Sequence, residues 1–147
     1  MRIPHATLIL SKVVFKKLPH LSTASLGLAK ARPPRDFSFD CTTGVLTISA
    51  AEQTPRVKIT FFLEDSKYIL AGLAFTPKRG VVKAGRTIFP KIAVTRTDES
   101  STLVVTNDYA KNGPKSKTFP LRILVQRVSD GAIGEIDPGI INNPNEN

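Results

Sequence analysis

The sequence predicts an all-β protein: an antiparallel two-sheet sandwich of seven to eight strands carried by residues 36–147. Three observations support it. From Asp36 onward the chain divides into short apolar runs separated by Gly, Pro, Asn and Asp turn chemistry. β-Branched and aromatic residues dominate those runs, and their stiff side chains suit a pleated surface. No stretch of this part sustains the apolar period of a helix.

The runs follow in order. DFSFDC alternates Phe37, Phe39 and Cys41, with Cys41 expected as a small buried apolar residue. GVLTISA puts Leu46 and Ile48 on one face, and Val45, Thr47 and Ser49 on the other. RVKITFFLE alternates most cleanly. Val57, Ile59, Phe61 and Leu63 are expected inward; Arg56, Lys58, Thr60 and Phe62 are expected outward. YILAGLAF is nearly all apolar, the pattern of a strand buried on both faces, with Gly72 marking a bulge or a close backbone approach. TPKRG is a turn.

VVK, TIFPKIAVTRT and STLVVTND read as further strands. Pro90 has no N–H to give a ladder, so its segment should lie at a sheet edge or break at the proline. DES at 98–100 is a turn, and NDYAKNGPKSK a polar loop. In FPLRILVQRV, Leu121, Ile123 and Val125 alternate with Arg122, Leu124 and Gln126. DGAIGEIDPGI reads as irregular. The count and spacing suit a sandwich of immunoglobulin-like type, with a small closed barrel as second choice.

Residues 1–35 differ in kind. They hold seven of the 21 basic groups and no acid, a net charge of +7. The remaining 14 basic groups stand against all 12 acids, a net +2 for residues 36–147. The basic character therefore belongs to this arm. Lysines interrupt its apolar residues, which makes it a poor secretory signal and a loose match to a transit peptide. Pro4 and Pro19 oppose one long helix. Three readings compete: a disordered or partly helical basic leader, a segment included by a mis-called start, and a functional arm for nucleic acid or anionic membrane.

Chemistry is read mainly by exclusion. Both histidines, His5 and His20, lie in the arm, so residues 36–147 hold no Ser-His-Asp or Cys-His arrangement unless the arm folds back. There is no phosphate-binding glycine loop, and Cys41 is the only thiol. One cysteine excludes an internal disulfide and favours a reducing, cytoplasmic location. The carboxylate pairs Glu64–Asp65 and Asp98–Glu99 sit in expected turns, where solvent keeps them ordinary. Asp137, Asn142, Asn143 and Glu146 are a loose oxygen cluster for calcium, without EF-hand spacing. Arg56 and Lys58 would join Lys115, Lys117 and Arg122 in an outward basic row if their strands pair, with Phe62 and Tyr109 beside it.

The tail IDPGIINNP, the run YILAGLAF, the run GRTIFPKIAV and the Asn107-Asp108 pair together resemble the DP-EP family of small bacterial proteins. That family is named for Asp-Pro and Glu-Pro pairs near the end. Asp137-Pro138 matches the first pair; the second reads Asn143-Pro144 and departs from it. The resemblance covers roughly residues 37–145. It implies a β-sandwich and brings no established activity, catalytic residue or cofactor. A looser similarity to small β-type inclusion-body proteins points to self-association.

The expected function is thus a non-enzymatic, cytoplasmic β-sandwich working through a protein partner or self-association, with no metal and no cofactor. Two alternatives stand beside it: polyanion binding through the basic arm, and ligand or calcium binding by the C-terminal segment.

Overall fold

Alternation at every second residue builds this protein from its first strand. The computed structural model describes residues 2–17, 20–76 and 79–144. Its strands are β1 (His5–Lys17), β2 (His20–Arg32), β3 (Phe37–Asp40), β4 (Val45–Ile48), β5 (Val57–Leu63) and β6 (Tyr68–Phe75). Helix α1 (Val81–Ile88) follows, then β7 (Lys91–Arg96), β8 (Ser101–Asn107), β9 (Lys117–Arg127), β10 (Ile133–Ile136) and β11 (Gly139–Asn142). The chain is a two-layer β-sandwich around one apolar core.

A hydrogen-bonded path β3-β4-β11-β9-β10-β2-β1-β5-β8-β7 runs through it, with β6 added beside β9. The long strand β9 serves both sheets: its first residues pair with β11, and Leu121 to Arg127 pair with β6. Leu70 of β6 donates its N–H to Ser101 Oγ of β8 at 2.8 Å, bonding two strands that are not ladder neighbours. The expected inward faces hold: Val57, Ile59, Phe61 and Leu63 are buried, as are Leu121, Ile123 and Val125. Pro90 ends α1's approach, and β7 after it closes the strand path as an edge strand.

The arm is the largest correction. It is neither disordered nor helical: β1 and β2 form an antiparallel hairpin, and β1 pairs in parallel with β5. Ala6, Leu8, Leu10 and Val13 are buried in the common core. The interrupting lysine Lys12 adopts φ 53° where the hairpin register breaks, a bulge that lets Val13 turn inward.

The strand count also changes. Eleven strands lie among the described residues, and the β1–β5, β2–β10 and β4–β11 pairings are parallel. VVK belongs to α1, because burying Ile88 and Phe89 outweighs the strand preference of its valines. Phe75 packs against this helix so closely that a Cβ on Gly85 would lie 2.5 Å from its ring. YILAGLAF is a strand, but only Leu70 is fully buried; the ladder with β9 shifts register between Leu70 and Gly72. DGAIGEIDPGI supplies β10 and the start of β11. In the NDYAKNGPKSK loop, Tyr109 is buried and its hydroxyl donates toward Ala50 O at 3.0 Å and Ile48 O at 3.2 Å. Burial pushes that phenol up to about 12. Cys41 is exposed. Pro77 and Lys78 of the expected TPKRG turn lie outside the described residues.

Candidate polyanion-binding face

The outer face of β2, β1, β5, β8 and β7 collects cations from distant parts of the chain. Register does the collecting. Arg32 pairs with His5, His5 with Lys58, Lys58 with Thr106, and Thr106 with Lys91. Paired residues share a face of the sheet, so these five form one line across five strands. Four inter-strand steps make the line about 19 Å long. The next row reads Lys30, Thr7, Thr60, Val104 and Ala93; the third reads Gly27, Ile9, Phe62, Thr102 and Thr95. Between these rows, Ala6, Leu8, Ile59, Phe61, Leu103 and Val105 are buried, while Ile92 and Val94 on the β7 edge stay exposed.

Lys58 and Lys91 also line a shallow hollow of about 600 Å³ with Arg56. Its apolar walls include Ile3, Ala93 and Val104. Asp108 is the single acid lining it among the described residues, and that carboxylate bridges Arg56 at 3.6 Å and Lys111 at 3.2 Å. Lys30, Arg32, Lys58 and Lys91 have no ion-pair partner among the described residues. Their charge is therefore available to a ligand.

His5 reports the local field. Burial lowers its pKa from the ordinary 6.5, and the charges of Lys58, Lys30 and Arg32 lower it further. At neutral pH it is uncharged, so the charges of the line are Arg32, Lys58 and Lys91. Its Nε2 lies 2.7 Å from Thr60 Oγ1. The hairpin does bring a histidine beside a hydroxyl, which the separate-arm reading had set aside. Its neighbours are cations rather than an orienting carboxylate, an arrangement that weakens it as a general base.

The acids gather at the other end of the same strands. Leu63 pairs with Ser101, so the turn with Glu64 and Asp65 and the turn with Asp98 and Glu99 share one end of the β5–β8 ladder. That end carries Glu64, Asp65, Asp98 and Glu99 beside Arg96 and Lys67, while the Lys58 end carries the cation line beside Asp108.

The expected basic row forms only in part. Arg56 and Lys58 lie on this face, but β5 and β9 are not neighbours. Lys117 pairs with Asn142 in the β9–β11 ladder and lines a separate hollow with Lys83 and Lys111. Lys115 offers its carbonyl to Asn112 Nδ2 at 2.9 Å. Arg122 pairs with Glu135 at 3.7 Å. Phe62 is half-buried on the face, while Tyr109 belongs to the core. Arg32, Lys30, His5 and Lys91 take the places that Lys115, Lys117 and Arg122 were expected to fill. The alternating Ala6, Leu8, Leu10 pattern in the arm was the available signal for this.

The C-terminal motif is structural. Pro138 O accepts the Leu121 N–H at 2.9 Å, and the Asn143 N–H reaches Ile48 O at 2.8 Å. Between them β11 lies parallel to β4 and antiparallel to β9. Asn142 and Asn107 exchange side-chain amide hydrogen bonds of 2.8 and 3.2 Å inside the core. That exchange turns Asn142 away from the calcium cluster read from sequence; Asp137 and Asn143 are exposed, and Glu146 lies outside the described residues.

Among the described residues no helix is long and apolar enough to cross a membrane. No protein-family model matches the chain, and no curated protein is similar enough to count as a relative.

Proposed function

We propose that this protein is a non-enzymatic β-sandwich that binds a polyanion through the outer face of β2, β1, β5, β8 and β7. The Arg32–His5–Lys58–Thr106–Lys91 line carries the reading. An extended row of unpaired cations, offset by one nearby acid, suits a repeating anionic ligand better than a small substrate. The cations around His5, in place of an orienting carboxylate, support the non-enzymatic half.

Heparin affinity measured against salt tests it. The wild-type protein is expected to bind with a steep negative salt slope. In Lys58→Glu/Lys91→Glu, both exposed changes, the slope should fall by about 2 or more. Unchanged affinity and slope in that variant, with the wild-type melting curve, would refute the assignment.

The β7 edge supports a second reading, a protein partner or self-association in the cytoplasm of a bacterium. All six of its residues are exposed, Ile92 and Val94 among them, and an edge strand offers unpaired backbone groups. Concentration-dependent mass in light scattering is its signature. A constant monomer across a wide range, together with no partner recovered through a β7 crosslink, removes it.

A further inference from the structure

We infer that the polyanion is single-stranded nucleic acid, with phosphates along the Arg32–His5–Lys58–Lys91 line and a base against Phe62. This rests on the polyanion reading and narrows it. Three features of the face choose among anionic ligands.

The first is the division of chemistry along the strands. Lys58 and Phe62 are four residues apart on β5, about 13 Å along the strand. At the Lys58 end stand the cations; at the Phe62 end stands Ile9, 41 % exposed, paired directly with Phe62. Thr7, Thr60 and Thr106 offer hydroxyl donors between or beside them. A single strand has the same division: charged backbone on one side, unpaired apolar base faces on the other.

The second is that no helix projects from the cation line. A duplex hides its base faces and is read by elements that enter a groove. The only α-helix among the described residues, α1, packs on Phe75 of β6, and the chain meets this face just past the helix end, at Pro90. The cations of the line, Arg32, Lys58 and Lys91, all sit on strands.

The third is the carboxylate end. A planar anionic membrane would meet the whole face, including the exposed Glu64, Asp98 and Glu99 turns. Those charges repel it. A single strand follows the cationic band and leaves them in solvent.

The experiment is fluorescence anisotropy on the full chain. Its probes are a labelled oligothymidylate of about twelve nucleotides, a duplex of equal length, heparin, and phosphatidylserine vesicles. The oligothymidylate should bind more tightly than the duplex or the vesicles. Phe62→Leu keeps apolar volume without an aromatic face, and Phe62→Tyr keeps the face. The leucine variant should bind the oligothymidylate roughly fivefold or more weakly and heparin as wild type does. The tyrosine variant should restore the difference. Matched melting curves separate this from a folding defect. Equal oligothymidylate binding by the leucine variant, or tighter binding to duplex or vesicles, overturns the inference and leaves polyanion binding intact. Undiminished heparin binding by Lys58→Glu/Lys91→Glu overturns the reading beneath it.

Discussion

A chain that starts at Asp36 will not fold cooperatively. Residues 1–35 read as an appendage, yet their hairpin supplies Ala6, Leu8, Leu10 and Val13 to the core. Truncating one fully buried leucine to alanine typically costs about 2–5 kcal/mol. A whole domain has about 5–15 kcal/mol of stability. Leu8 and Leu10, each 1 % exposed, approach that total by themselves. Deletion also bares the ladder edge of β5, whose Val57, Ile59 and Phe61 would face water on their inner side. The measurement is chemical unfolding followed by far-ultraviolet circular dichroism. The full chain should show a sigmoidal transition; residues 36–147 should show none, or a midpoint near zero denaturant. A shortened chain with the full chain's midpoint would mean that the hairpin is peripheral.

Removing residues 139–147 should be equally destructive. In the strand path, β3 and β4 join the other strand ladders through β11. Ile140 is fully buried and Asn142 is held by Asn107. A gentler variant resolves the amide exchange. Asn142→Ala leaves the Asn107 amide buried without its partner, which should lower stability by about 1–3 kcal/mol. Asn107→Ala should cost a similar amount, and the double variant less than the sum, because the second change removes a group already orphaned. Strict additivity in that cycle would show that the two amides do not support each other.

The same two segments show where the sequence was readable. The β5 pattern was legible because Val57, Ile59, Phe61 and Leu63 alternate without interruption. The β1 pattern was equally regular over Ala6, Leu8 and Leu10, but Lys12 breaks the period at a bulge, and charge composition then dominated the reading. β11 was obscured by prolines on both sides, which mark turns in isolation. In the fold they end a strand that pairs on both edges. The candidate face was legible in two of its residues, Arg56 and Lys58. Arg32, His5 and Lys91 stand 27 to 86 positions apart in the chain, and only register makes them neighbours.

By itself the sequence determined the class: an all-β chain, with strands where β-branched residues alternate and an edge where Pro90 withholds a donor. Those signals are local, since side-chain period and proline geometry act within a few residues. The tertiary structure decided the partners of each strand. It placed β1 between β2 and β5, β11 between β4 and β9, and four basic or histidine side chains on one line. Pairing depends on which apolar faces can be buried together across the whole chain, and no short window of sequence contains that information.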